Sequence, residues 1–455
     1  MSVIVDRTDR QPAQILRDGT AGLAGGKFKP GHRWKVLGTG VAANASFSAT
    51  FSGIPATAVV LRQGYHLSNA ELGVALGLLG LGVALSELPW GLLTDRWGDR
   101  RVLLIGLGAT ATWLLAMAML VVPTKAGVPD VTLLSASLLL AGLLGGSVNG
   151  SSGRAIMGWF RENERGFAMS IRQTAVPLGG GLGALVLPSL ALAFGFAAVF
   201  GLLAGASALS ALFAWRWLHE PPTAPGEHVA SSAAAGPAPL RNIEVWRIAT
   251  AIGLLCFPQV AVLTFASVFL HDFAGLGTAA SSASLAAVQV GAMVMRVWSG
   301  RFTDRRGNRR QFLRSCSALS AFAFMVLWLL VLANPAVPSG QSLLIAVLPL
   351  MLIVAGISVS AWHGVAYTEL ATLAGTGHVG TALSLANTFV FVGFFLVPVA
   401  IPGLLHLWSW SAVWLAASVC ALIARPVFLR PAFAAKPPDF EATTLSRLRR
   451  PDRSR

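Results

Sequence analysis

Residues Gly91 to Arg101 read GLLTDRWGDRR, and residues Gly300 to Arg310 read GRFTDRRGNRR, 209 positions further along. Each charged hook closes a long apolar run, and neither hook is like anything else in the chain. A sequence that writes one hook twice, each time at the foot of an apolar segment, contains an internal repeat, and the surrounding residues define its unit.

Those surroundings are lipid-like. The 455 residues are 55% hydrophobic and only 12% charged, whereas about a quarter of a soluble domain is charged. The 48 glycines suit helices that pack closely within a bilayer. The formal charge of +15 does not point to nucleic acid, because the basic residues lie between apolar blocks without an aromatic-interleaved patch. Cys256, Cys316 and Cys420 each lie inside an apolar block with no CxxC spacing, so neither a disulfide nor a metal site is expected. No cofactor is expected either. The first 33 residues are polar and lack the apolar core of a signal peptide.

Roughly 20 apolar residues cross a bilayer as a helix. That window yields twelve candidate spans near 34–61, 69–92, 102–122, 131–158, 167–194, 197–218, 246–270, 278–300, 311–333, 341–367, 379–404 and 408–428. Loops after even-numbered spans carry Arg96, Arg100, Arg101, Arg161, Arg165, Arg241, Arg305, Arg306, Arg309 and Arg310. The opposite loops offer only Arg62 and Lys125. Short basic loops stay cytoplasmic, so both termini are expected inside, with the positive charge facing an anionic inner leaflet. The expected organisation is a cytoplasmic tail over 1–33, a six-helix bundle over 34–218 and a Pro/Ala-rich cytoplasmic linker over 219–243. A second six-helix bundle over 244–428 and a cytoplasmic tail over 429–455 complete it.

The repeat extends beyond the hooks. Gly142, Gly146, Gly150 and Arg154 of span four correspond to Gly356, Ser360, Gly364 and Thr368 of span ten, and residues four apart share a helix face. The hook resembles the signature of the major facilitator superfamily, G-x-L-x-D-R-x-G-x-R-R. Gly91, Leu93, Asp95, Arg96, Gly98, Arg100 and Arg101 match it in the first copy, and Gly300, Asp304, Arg305, Gly307, Arg309 and Arg310 in the second. The resemblance implies an all-α membrane protein of twelve transmembrane helices in two pseudo-symmetric six-helix bundles. It also implies a gate: Asp95 and Asp304 each meet the start of a helix from the opposite half, where the helix dipole favours negative charge. Arg101 and Arg310 are expected to anchor the loops to phosphates. Glu87 and Arg296, at equivalent positions above the hooks, read as further gate charges. Arg154 reads as a gate charge too, paired with Glu162 or Glu164.

Departures from the repeat are where substrate chemistry is expected. Arg172 and Gln173 of span five align with Ala386 and Asn387 of span eleven, and Asn149 aligns with His363. An intramembrane ionisable residue is by default a functional hypothesis, so Arg172 is the expected counter-charge to a substrate, with snorkelling to the headgroups as the alternative. His363, beside Trp362, is the expected proton carrier, the alternative being a neutral hydrogen-bonded ring. Asn44, Gln259 and Gln289 are further neutral candidates for a polar cavity lining. Val176 to Gly181, VPLGGG, partly resembles the span-five motif of drug–proton antiporters.

The expected function is therefore secondary transport across a plasma (inner) membrane. The expected cargo is a small organic anion such as a carboxylate, moved by alternating access with proton coupling and by a monomer. A proton-coupled efflux pump is the alternative. No catalytic residues are expected. HExxH and comparable spacings are absent, and His271–Asp272 reads as a loop contact.

Overall fold

The computed structural model describes residues 29, 31–125, 127–221, 238–333 and 342–429. The tails and most of the linker predicted from the sequence lie outside these residues. What is described is almost wholly helical, apart from one bridge between Thr124 and Gly127.

Ten helical stretches are long and apolar enough to cross a membrane. One of them, Glu162–Trp217, has 56 residues, about 84 Å at 1.5 Å per residue, far more than a 30 Å hydrocarbon core needs. It is two spans joined at Gly195, whose φ of 74° and ψ of −179° lie where only glycine sits without strain. Spans five and six thus meet with no loop between them. The first helix, His32–Ala56, is less apolar because Asn44, Ser46, Ser48 and Thr50 run along it; all four are buried. A short helix, Ala58–Gly64, extends it past Pro55. With these, the described residues form twelve spans in two bundles of six, and the protein is a multi-pass membrane protein.

The remaining spans are Asn69–Trp97 (two), Asp99–Leu120 (three) and Val131–Trp159 (four). The second bundle has Ile243–Asp272 (seven), Thr278–Arg306 (eight) and Arg309–Ala333 (nine), followed by Ser342–Ser360 with His363–Ala374 (ten), Val379–Leu407 (eleven) and Trp410–Val427 (twelve). The hooks are not loops from their first residue. The two helices run on to Trp97, past Pro89, and to Arg306, so Asp95 and Asp304 lie on helix ends. Both glycines have positive φ, 86° and 64°, which lets the chain turn at once into the next span.

Spans four and ten are each broken at an equivalent height. Span four divides into Val131–Gly145 and Ser147–Trp159, and span ten at Ala361–Trp362. A broken helix frees backbone carbonyls inside the membrane, which are tolerated only where polar partners reach them. The two bundles meet chiefly where span two packs on span eleven and span five on span eight.

Candidate functional site

The end of the molecule that carries the hooks is closed by two related latches. The Asp95 carboxylate accepts hydrogen bonds from the backbone N–H groups of Gly380 (2.8 Å) and Thr381 (2.7 Å). The Asp304 carboxylate accepts from Gly166 (3.1 Å) and Phe167 (2.7 Å). Gly380 and Thr381 lie in the first helical turn of span eleven, whose donors have no partner within the helix and whose dipole attracts an anion. Glycine permits the approach: a Cβ on Gly91 would stand 2.6 Å from the Ser384 Cβ, and Gly150 abuts the Ser384 hydroxyl. Gly300 and Gly364 pack in the same way on Ser170. Arg96, Arg101 and Arg305 are exposed around this face.

Two charges depart from expectation. Arg310 does not reach outward to lipid phosphates. Its Nε donates to Glu369 (2.6 Å) and its Nη1 to Glu244 (3.0 Å), because those carboxylates, on spans ten and seven, lie within reach of a side chain only 11% exposed. Arg154 pairs with neither Glu162 nor Glu164. It lies 3.2 Å from Asp99 and 3.7 Å from Asp95, while Glu164 pairs with Arg33 at 2.6 Å. Arg154 therefore offsets the Asp95 charge, as Arg309, 3.1 Å from Asp304, does in the other half.

Above the latches lies an enclosed polar cluster that crosses between the bundles. Arg172, 2% exposed, does not snorkel. Its Nη2 donates to the Asn149 carbonyl (2.6 Å) and its Nε to Ser152 (3.0 Å). In the amide orientation that satisfies its neighbours, the Asn44 oxygen also accepts from Arg172 at 3.0 Å and its nitrogen donates to the Asn149 Oδ1. Asn149 in turn donates from Nδ2 to the Glu87 carboxylate at 2.5 Å. From the second bundle, Tyr367 donates to the Asn387 Oδ1 (2.6 Å). Arg296, 3% exposed, donates from Nη1 across the interface to the Gln173 carbonyl (2.8 Å) and from Nε to the Ser360 carbonyl freed by the break in span ten (3.3 Å). Its Nη2 lies 3.4 Å from the His363 Nε2, and the His363 Nδ1 is 3.1 Å from the Ser360 carbonyl.

This arrangement gathers six of the nine expected lining residues: Asn44, Asn149, Arg172, Gln173, His363 and Asn387. Trp362 is buried behind them, its ring stacked on His363 at 3.8 Å. Gln259 is buried and Gln289 half-buried, and no hydrogen bond among the described residues joins either to the cluster. Glu87 and Arg296, expected beside the gate, reach the cluster instead, because each stands two helical turns above its hook aspartate. Tyr367 was not anticipated. The available signal was its place in the repeat, where the first half has Gly153. The His363 contacts fit a neutral ring that donates from Nδ1 and accepts at Nε2, because a protonated ring would turn a second donor toward Arg296.

Aromatic rings cover the cluster on the side away from the hooks. Phe51 meets Phe391 at 5.0 Å and Phe394 at 5.8 Å, edge to face, and Phe47 meets Phe391 at 5.8 Å. These pairs join span one to span eleven about one to two helical turns beyond Asn44 and Asn387. The cluster thus lies enclosed between the hook-end contacts and the aromatic rings, at the bundle interface and beside the breaks in spans four and ten.

Comparison with known proteins agrees with this architecture. The chain is 29% identical over 297 residues to an uncharacterized MFS-type transporter of Mycobacterium tuberculosis, covering 65% of this chain and 64% of that protein. It thus spans just under two thirds of that relative's length. Over 164 residues it is 30% identical to a probable anion transporter of rice, Oryza sativa subsp. japonica, covering 36% of this chain and 37% of that one. Among solved structures, a proton:xylose symporter bound to 6-bromo-6-deoxy-D-glucose superposes with a TM-score of 0.72 at 15% identity, over 88% of this chain and 95% of that one. The family model described as Major Facilitator Superfamily matches residues 39–387, and the chain belongs to that superfamily.

Proposed function

We propose that the protein is a secondary transporter of a small organic anion, such as a carboxylate, working by alternating access with proton coupling. It would sit in a plasma (inner) membrane with both termini cytoplasmic, and so with the hooks on the cytoplasmic side. The observation that carries the reading is the pair of fully enclosed guanidinium groups, Arg172 from the first bundle and Arg296 from the second. Both lie within electrostatic reach of Tyr367, and Arg172 also of Glu87. Two cations against one carboxylate leave room for one more negative charge, and a desolvated cation attracts an anion far more strongly than the same charge in water. Arg172 and Arg296 then meet the substrate's charge, while Asn44, Asn149, Gln173 and Asn387 offer neutral hydrogen bonds. His363 holds Arg296 in place. The rice relative's printed description, a probable anion transporter, agrees with this chemistry.

Efflux remains the rival direction. Its sequence support was the run Val176 to Gly181, yet Gly179 lies against the backbone of Ala45 in span one, and Gly183 just beyond the run against Gly53. Close packing of spans one and five accounts for these glycines without a drug site.

Thermal stability of the purified protein against a panel of carboxylates, cations and neutral compounds tests the reading. A ligand at a hundred times its dissociation constant stabilises the native state by about 2.7 kcal/mol. Carboxylates are expected to raise the melting midpoint, and Arg296→Gln and Arg172→Gln to abolish the rise. Protection by cations or bulky neutral compounds alone, indifferent to both arginines, would overturn the anion assignment.

A further inference from the structure

Beyond Asn44 and Asn387 the interface between the bundles changes chemistry. The side chains that meet across it there are phenylalanines, Phe47 and Phe51 on span one and Phe391 and Phe394 on span eleven. The rings are joined to one another. Phe47 lies 5.8 Å from Phe51 and Phe391 lies 6.2 Å from Phe394, while Phe51 meets Phe391 across the bundles at 5.0 Å. The hydroxyls interspersed with them are spent elsewhere. Ser48 donates to the Val176 carbonyl (2.6 Å), Thr50 to the Ser46 carbonyl (3.1 Å) and Thr388 to the Ser384 carbonyl (3.0 Å), and Ser52 lies against Gly180 of span five. Gln259 of span seven, one turn past the Cys256 thiol that meets the Val390 carbonyl, has an unpaired Oε1. One acceptor against four rings leaves the layer apolar. A small cavity behind Phe47 and Phe51, between Leu79, Val83, Leu107 and Val148 of the first bundle, gives those two rings room to turn aside.

We infer that the cargo is an amphipathic monocarboxylate, with its one carboxylate held by Arg172 and Arg296 and an apolar body, aryl or branched alkyl, seated among Phe47, Phe51, Phe391 and Phe394. The inference deepens the anion reading and rests on it. Charge sets the first half. Arg172 and Arg296 share the buried cluster with one carboxylate, Glu87, so a single further negative charge brings it to neutrality. A dianion would leave a buried charge uncompensated, which is costly. The ring layer sets the second half. Its rings stand roughly 5–10 Å along each helix from Asn44 and Asn387, within the length of a small arylalkanoate. A body carrying several hydroxyls would lose their water without finding partners in this layer, at a cost for each one buried. An aryl or alkyl body gains by leaving water, and an aryl ring can adopt the edge-to-face geometry that these four already use.

Four probes separate charge from body in thermal-stability titrations of the purified full-length protein in lipid nanodiscs. They are phenylacetate, gluconate with its hydroxyls, succinate with two carboxylates, and 2-phenylethanol with none. Phenylacetate is expected to reach half-maximal protection at a concentration at least tenfold below gluconate and succinate, a difference of about 1.4 kcal/mol. Phe51→Ala is expected to bring that ratio towards one by weakening phenylacetate. The ratio is read within each protein, so a general loss of stability in the variant does not mimic loss of the apolar seat. Gluconate or succinate protecting at the same concentration as phenylacetate would overturn the inference and leave the anion reading standing. So would a Phe51→Ala protein that keeps the full ratio. Protection by 2-phenylethanol as strong as that by phenylacetate would instead overturn the anion reading, on which the carboxylate half depends. Protection by none of the four would overturn both.

Discussion

Replacing Asp95 by Asn should unlock the hook end of the molecule. In the closed state its two carboxylate oxygens accept separate backbone hydrogen bonds, at 2.8 Å from Gly380 and 2.7 Å from Thr381. An asparagine keeps one acceptor, turns an amide donor toward the other N–H, and removes the charge that the start of span eleven favours. A hydrogen bond to a charged group is worth about 1.5–3 kcal/mol, and a charge at a helix N-terminus contributes about 0.3–1 kcal/mol more. In an open state Asp95 faces water and loses little on substitution. The closed state should therefore be weakened by about 2–4 kcal/mol, a shift of roughly 30- to 900-fold in the ratio of closed to open. A single cysteine at Thr381, which is 3% exposed in the closed seam, reports on this through its rate of modification by a membrane-impermeant maleimide from the hook side. Asp95→Asn should speed that modification by well over tenfold, and Asp304→Asn should have a similar effect through the second latch. Unchanged modification rates in well-folded Asp95→Asn protein would refute the claim that these two hydrogen bonds hold the end closed.

Two further outcomes are expected. Arg310→Gln leaves Glu369 and Glu244 facing each other without their shared cation, and should lower stability by about 3 kcal/mol. A depressed melting midpoint, partly restored by adding Glu369→Gln, is the measurement; no change would mean that water already screens the trio. At His363, Gln supplies a neutral acceptor for Arg296 and should retain ligand-induced stabilisation, whereas Leu leaves the Arg296 Nη2 without its partner at a cost of about 1–3 kcal/mol. Equal behaviour of the two variants would show that His363 does not position Arg296.

The hooks were legible because their parts are local. A helix end, an aspartate and a glycine within one hook need only their own spacing to be recognised; Asp95 meets the start of span eleven, as the family resemblance implied, whereas Asp304 meets Gly166 and Phe167 just past the first turn of span five. The charges around them were less legible. Arg154 and Arg310 chose partners from other spans, Asp99 for one and Glu244 with Glu369 for the other. Sequence distance along one loop favoured Glu162 and Glu164 or the lipid surface, whereas carboxylates brought alongside by neighbouring helices were invisible to it. Glu87 and Arg296 show the same effect in depth. Counting residues from the hook put them near the end of a span, yet both are buried and bonded within the polar cluster.

What the sequence determined by itself is whatever periodicity and composition can encode. That covers twelve spans, which follow from the energetic demand of crossing a bilayer, and their division into two halves, which the duplicated hook marks. What only the tertiary structure decided is which polar groups meet. Arg172 gathers Asn44, Asn149 and Ser152 from two other spans, Arg296 crosses to the Gln173 carbonyl, and Tyr367 joins Asn387. Hydrogen bonds act over about 3 Å, whereas helix packing alone settles which side chains come within that distance. The break in span four falls at Gly145-Gly146-Ser147, a glycine–serine run that favours a kink; the break in span ten at Ala361–Trp362 has no such run.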